Sequence, residues 1–289
     1  MITLENNVLS LGISPKIGGS VLFFRYKGQD ILQPTINPKT AEHASLFVML
    51  PYCGQITDNK FTYFGITRHV TPLPEQNSTA VNGDGWVNSW EKESVTKNQA
   101  ILTYQHNKKD GGFPFDYLAK IIYTLEKNQL RITICLKNPS KLPIPCGMGI
   151  SPCFMQKSAA KLYFNTTHIW HHENTPIFDR PYETPKEWNF SDGKTITENF
   201  DTAFGGWDGQ AVVKYTNGLQ IHIQAPNIFH HIALNTHTSA DDSFYLAPIS
   251  NTPDAFNLAA LGVINTGIQS IGPDQTLTQT LTLSVETAS

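Results

Sequence analysis

The stretch "AVVKYTNGLQIHIQ", residues 211–224, decides the fold class of this chain. Apolar and polar residues alternate on both sides of Thr216-Asn217-Gly218. Alternation with a period of two is typical of β-strands that bury one face, and Asn-Gly between two such runs is the strongest short hairpin signal. The segment therefore predicts two antiparallel strands joined by a tight turn.

The same alternation recurs wherever the chain is regular, as in "LRITICL" (130–136) and "TLTQTLTLSV" (276–285). Turn signals separate the short apolar runs, and no window shows an apolar stripe of helical length and spacing. The least regular stretch, roughly 171 to 209, is interpreted as a long ordered excursion. We therefore expect an all-β, mostly antiparallel sandwich, with residues 1–289 forming a single domain.

Composition excludes several classes of partner. A net charge of −3 gives no reason to expect nucleic acid, and no run approaches the ~18 apolar residues of a membrane span. The four cysteines show neither a CxxC pair nor a metal-finger spacing. Because the N-terminus lacks the pattern of a secretory signal, we expect a cytoplasmic protein with reduced thiols and no cofactor.

Residues 81–90, "VNGDGWVNSW", set two glycines beside two tryptophans. One interpretation is a plain β-turn packed under a strand. The other is a sugar pocket, in which a close backbone turn brings polar groups to the ligand while Trp86 stacks on its apolar face.

Several separated blocks together resemble the aldose 1-epimerase (galactose mutarotase) family, whose fold is a large antiparallel β-supersandwich. Order and spacing agree over nearly the whole chain. The blocks are "IGGSVLFFRYKGQDILQP" (17–34), "PYCGQITDNKFTYFG" (51–65), "NGDGWVNSW" (82–90), "FPFDY" (113–117), "NPSKLPIPCGMGISPCF" (138–154), "FDTAFGGWDG" (200–209) and "APISNTPDAFN" (247–257).

The resemblance implies anomer interconversion, in which a glutamate removes the proton of the anomeric hydroxyl and a histidine protonates the ring oxygen. In this chain the glutamate position is Ala247 and the acid histidine position is Ser151. The positions of an arginine and of two further histidines carry neutral amides, and the sugar-binding aspartate is retained. These residues are Gln55, Asn82, Asn251 and Asp201.

Amide and hydroxyl groups can hydrogen-bond a sugar, but they do not titrate near neutral pH. Loss of a positioned acid or base lowers a rate by roughly 10²–10⁴ for each group. We therefore expect a carbohydrate-binding protein with weak or absent mutarotase activity. Its expected sugar contacts are Gln55, Asn82, Trp86, Ser151, Asp201 and Asn251.

Two alternatives stay open. An active epimerase or related isomerase could take its acid and base from Asp84, Asp201 or the histidines at 168–172, and a protein-interaction module could retain only the fold. Adjacent histidines, as in His230-His231, point to opposite faces of a strand, so no metal site is expected. Cys53 and Cys153 are expected to border the cleft as buried thiols, although a Cys-His pair is conceivable there.

Overall fold

The computed structural model describes residues 1–76, 78–170, 180–236 and 242–287. Its strands form two large sheets, in which every strand pair is antiparallel. The first sheet contains, in spatial order, β1 (Ile2–Glu5), β2 (Leu9–Ser14), β3 (Ser20–Tyr26), β5 (Leu46–Met49), β13 (Gly149–Met155), β22 (Ser243–Ile249), β21 (His231–Asn235), β18 (Asp201–Gly205), β15 (His168–Trp170) and β16 (Tyr182–Glu183), with β4 (Gln29–Asp30) paired to β3.

The second sheet packs against the first and carries the longest strands. Its spatial order is β17 (Lys194–Thr195), β14 (Ala160–Phe164), β19 (Gln210–Tyr215), β20 (Leu219–Gln224), β24 (Thr276–Thr287), β11 (Gln129–Lys137), β10 (Tyr117–Glu126), β9 (Gln99–His106) and β8 (Glu91–Val95). Two small hairpins complete the strands, β6 (Lys60–Tyr63) with β7 (Ile66–His69) and β12 (Ile144–Cys146) with β23 (Gln269–Ile271).

The predicted strand patterns are confirmed. β19 and β20 form the hairpin around Asn217-Gly218, with Val213 opposite Ile221. On β11 the four alternating residues Leu130, Ile132, Ile134 and Leu136 are all 0% exposed. Each such burial removes an aliphatic side chain from water and stabilises the fold by about 1.5–3 kcal/mol, so the alternation fixes which face of the strand enters the core.

The one α-helix within the described ranges, α1 (Ala255–Ala260), has no counterpart among the predicted elements. Six residues make fewer than two turns, so the segment is too short to show a helical stripe. None of the described helices is long and apolar enough to cross a membrane.

Candidate functional site

A cavity of about 530 Å³ opens on one face of the first sheet. This volume lies in the range of small-molecule sites. Alternate residues on each strand point to this face, and the antiparallel register aligns them in rows across the sheet. One row runs through Trp170, Ala203, Ala233, Ala247, Ser151 and Phe47. Because three neighbouring strands contribute alanine, the middle of this row leaves room for a ligand and forms an apolar floor.

Five positions that the resemblance singled out line this one cavity, although they are far apart in sequence. Ser151 and Ala247 belong to the floor row, and both are more than nine-tenths buried. Asp201 lies in the next row and exposes its carboxylate, whose Oδ1 accepts a hydrogen bond of 3.0 Å from Asn235 Nδ2. The other two lining residues, Gln55 and Asn82, approach from loops between the sheets.

The turn at 82–86 is shaped by its contact with Leu50. Gly83 has φ +71°, and a Cβ built on it would lie 1.8 Å from the Leu50 carbonyl oxygen, so only glycine fits there. Asn82, also at positive φ, uses its side-chain oxygen to accept a 2.8 Å hydrogen bond from the Gly54 amide. Its amide NH₂ group remains as the donor that this turn presents at the cavity.

Trp86, one of the expected sugar contacts, is buried and packed next to the cavity lining. The residue is only 3% exposed and is not part of the cavity lining. Its indole N–H donates to the carbonyl oxygens of Val81 and Gly83, each at 3.1 Å, and its ring packs on Phe47 with centroids 5.6 Å apart. Since Phe47 lines the cavity, Trp86 supports the wall from behind.

Asn251 is likewise buried and is not part of the cavity lining. It is 1% exposed, and its side-chain amide accepts from the Cys53 N–H at 3.1 Å and donates to the Cys53 carbonyl at 2.9 Å. These bonds hold the segment that ends in Gln55. Neither Cys53 nor Cys153 lines the cavity, and burial raises the pKa of the Cys53 thiol, which makes it a poor nucleophile.

Asp84, considered above as a relocated acid or base, lies in the core beneath the turn. Its Oδ2 accepts a 2.7 Å hydrogen bond from His106 Nδ1, and its Oδ1 accepts the Tyr117 hydroxyl. His106 donates its other ring nitrogen to the Phe113 carbonyl at 2.8 Å. Burial opposes the charged imidazole, but the hydrogen bond and charge of Asp84 outweigh it, so the pKa of His106 is raised. The pair is an internal ion pair that fixes the turn, and it does not face the cavity.

Of the histidines considered as replacement acids, the described one, His168, does not line the cavity. His168 and His231 lie one row below the floor row, on either side of Gly205. Burial lowers the pKa of His168 and, together with the nearby His168, lowers that of His231 to about 3, so both rings are neutral. His171 and His172 lie outside the described residues. His231 is buried and His230 exposed, as expected for adjacent residues on a strand.

Two titratable residues that the sequence interpretation missed border the cavity. Glu42 and His43 lie on a 3₁₀ turn (Ala41–His43) before β5, and both side chains are more than half exposed. The Tyr245 hydroxyl donates to the Glu42 carbonyl at 3.0 Å, which anchors the turn to the first sheet. In the sequence this polar pair is marked only by the two alanines that flank it, Ala41 and Ala44, which are buried. That pattern does not indicate a cavity.

Asp201, on β18, and the Glu42-His43 turn border the cavity from different elements. Asp201 pairs with Asn235, which pairs with Tyr245, so Asp201 is two strands from the tyrosine that holds the turn. At ~4.8 Å per strand the backbones of Asp201 and Tyr245 are about 10 Å apart. The cavity lining thus includes two carboxylates, the retained Asp201 and Glu42, and the imidazole of His43.

Among the described residues, no group of three or more His, Cys, Asp or Glu side chains could hold a metal ion. A second depression, of about 660 Å³, lies on the outer face of the second sheet and includes Tyr104 and Lys120. It contains none of the positions discussed above. The cavity on the first sheet is therefore the candidate site.

A family model described as aldose 1-epimerase matches residues 1–242. The uncharacterized protein YphB of Escherichia coli (strain K12) is 23% identical over 293 residues, which cover 98% of each chain. A crystal structure of an Escherichia coli K12 protein has a TM-score of 0.90 at 22% identity, covering 99% of this chain and 98% of that one. A galactose mutarotase-like protein from Clostridium acetobutylicum has a TM-score of 0.83 at 15% identity, covering 99% and 95%. The solved structures confirm the mutarotase-like fold, and, since the family model spans most of the sequence, the chain belongs to the aldose 1-epimerase family.

Proposed function

We propose that this protein binds a pyranose carbohydrate in the cavity on the first sheet and interconverts its anomers weakly or not at all. The observation that carries the proposal is the convergence of Gln55, Asn82, Ser151, Asp201 and Ala247 on one cavity. Four of these residues offer hydrogen-bonding groups to hydroxyls, and the alanine floor suits the apolar face of a sugar ring.

The low expected activity follows from the chemistry of ring opening. A base must take the anomeric proton while an acid protonates the ring oxygen. Ala247 has no proton to exchange, and the Ser151 hydroxyl does not titrate near neutral pH. At the positions of the family's acid and base, the side chains of this chain are therefore compatible with sugar binding but unsuited to proton transfer.

Two further parts of the proposal concern the whole chain. The core cluster joins side chains of both large sheets, which supports a single domain over residues 1–289. All four cysteines are free thiols, which supports a reducing, cytoplasmic location.

The test separates binding from turnover. Calorimetric titration with glucose and galactose measures binding, and NMR saturation exchange between their anomers measures turnover. We expect binding that Asp201→Ala weakens and that Asp192→Ala, an exposed aspartate outside the cavity, leaves unchanged. Anomer exchange should stay near the buffer rate. If neither sugar nor a panel of oligosaccharides binds, the proposal is wrong and a protein-interaction role gains support.

A second candidate function is an active epimerase with relocated acid and base, favoured by the presence of Glu42, His43 and Asp201 around the same cavity. His43 is largely exposed, and its Nδ1 is 2.8 Å from Thr40 Oγ1, which orients the ring. Histidine is the side chain used most often for proton transfer in catalysis. Exchange well above buffer that His43→Gln abolishes, with sugar binding retained, would select this function over the first.

A further inference from the structure

The charges around the cavity differ from what an anionic ligand requires. Among the described side chains that line the cavity, Glu42 and Asp201 are acidic and none is lysine or arginine. The position that the family resemblance assigns to an arginine is the neutral Gln55. A sugar phosphate or uronic acid would therefore enter a negative field without a fixed cation to receive it.

The two carboxylates are not neutralised by other parts of the described chain. Asp201 Oδ1 accepts from the neutral Asn235 amide. Glu42 Oε1 accepts from Thr40 Oγ1 at 3.2 Å and lies 3.8 Å from His43 Nδ1. Within the described residues, no lysine or arginine approaches either carboxylate within 4.0 Å, the distance of an ion pair.

A hydroxyl on the cavity floor gives a second, independent indication that the cavity suits a polar ligand. Ser151 is 7% exposed, and no described residue hydrogen-bonds its side chain. Its oxygen is not among the fully buried polar atoms that lack a partner, so what remains exposed of the residue includes a hydroxyl open to the cavity. A ligand hydroxyl or amine above Ala247 would satisfy it.

We propose that the ligand is an amino sugar, a pyranose with a free, protonated amine, whose ammonium group is held by Asp201. This inference rests on the proposed carbohydrate-binding function and specifies its substrate class. Glu42 contributes a second negative charge from the 3₁₀ turn that borders the cavity. The alanine floor contacts the apolar face of the ring, and Ser151 pairs with a ring substituent. Charge-assisted hydrogen bonds to a carboxylate are roughly twice as strong as neutral ones.

The test compares glucose with three derivatives, each of which differs from it at one carbon by a cationic, a neutral or an anionic group. The full-length protein is titrated with glucosamine, N-acetylglucosamine, glucose and glucose 6-phosphate at about pH 7 by calorimetry. Because the carboxylates are partly exposed, we expect glucosamine to bind about two- to fivefold more tightly than glucose or N-acetylglucosamine at low salt. The preference should shrink at high salt, and glucose 6-phosphate should bind most weakly.

Variants assign the preference to the cavity. Asp201→Asn keeps the shape of the side chain and removes its charge, so the ratio of glucosamine to glucose affinity should fall by several-fold. Asp192→Asn is the matched control at an exposed position, and its ratio should equal that of the wild type. The ratio within each variant separates loss of charge recognition from a general loss of affinity.

Equal affinity for glucosamine and glucose, or tighter binding of glucose 6-phosphate, would refute the amino-sugar inference while leaving carbohydrate binding intact. Failure of every sugar to bind would refute both. A preference for glucosamine that survives Asp201→Asn would also contradict the assignment of the ammonium group to this residue.

Discussion

The ion pair between Asp84 and His106 allows a quantitative prediction about the stability of the protein. Both side chains are at most 3% exposed, and they are joined by a 2.7 Å hydrogen bond. Asp84→Asn removes the charge while keeping the volume, so it leaves His106 and the Tyr117 hydroxyl facing an amide that cannot accept from both. Breaking a buried pair on one side destabilises a protein by about 3–5 kcal/mol.

The expected shift in melting temperature follows from the chain length. The entropy of unfolding is about 2.1 cal/mol/K per residue, which gives roughly 0.6 kcal/mol/K for 289 residues. A loss of about 3–5 kcal/mol then lowers the melting temperature by about 5–8 °C. Differential scanning calorimetry and urea unfolding measure the two quantities.

A matched control is available on the surface. Glu93 and Lys120 form an ion pair of 2.8 Å whose side chains are 43% and 37% exposed. Since exposed pairs contribute about 0–1 kcal/mol, Glu93→Gln should leave the melting temperature almost unchanged. Equal, small effects of Asp84→Asn and Glu93→Gln would refute the account of the buried pair.

A double-mutant cycle and a pH series test the same pair independently. The double variant Asp84→Asn, His106→Asn should be destabilised by less than the sum of the single variants, with a coupling of about 1–3 kcal/mol. Because the pKa of His106 is raised in the folded protein, its charge contributes stability that is complete below the unfolded pKa and is lost as pH rises through the folded pKa. Additive single effects and a flat pH profile would contradict this.

Three further predictions concern the face of the first sheet. Burial lowers the pKa of His231 to about 3, against roughly 6.5 in the unfolded chain, so below pH ~6.5 the unfolded chain binds a proton that the folded one does not. The free energy of unfolding should therefore fall by about 1.4 kcal/mol per pH unit below pH ~6.5. Urea unfolding at a series of pH values should show a weaker dependence of stability on pH in His231→Gln. Gly205→Ala places a Cβ 2.1 Å from His168 Nε2 and should lower stability by about 1–3 kcal/mol in calorimetry, with relief by the added change His168→Ala. Ala247→Glu with Ser151→His should raise anomer exchange in NMR by on the order of 10² or more, and no gain in a variant that still binds sugar would mean the cavity is shaped for other chemistry.

The fold was predictable because its signals are local. The alternation on β11 determines which side chains are buried, and the Asn217-Gly218 turn reverses the direction of the chain. The structure confirms both. The helix α1 was missed because six residues cannot show a helical period.

The site was predictable only where the family blocks reach it. Asn82 and Ser151 line the cavity as the resemblance implied, whereas Trp86 and Asn251 belong to the same blocks but are buried behind it. Block position does not say whether a side chain points inward or outward. His43 was missed because its turn is held at the cavity by a long-range contact, the hydrogen bond that the Tyr245 hydroxyl donates to the carbonyl of Glu42, 203 residues away in sequence.

The row of alanines at 203, 233 and 247 has a consequence for which stereoisomers the cavity can tell apart. Methyl groups neither donate nor accept hydrogen bonds, so a hydroxyl turned toward them gives up its water without gaining a partner, whereas one turned away keeps its partners. Inverting a ring carbon above this row therefore costs about 1–3 kcal/mol when it turns the hydroxyl toward the alanines, so the row disfavours that epimer. Discrimination at the other ring carbons is left to the polar groups around the cavity, and each alanine is a position where one substitution would add a new stereochemical preference.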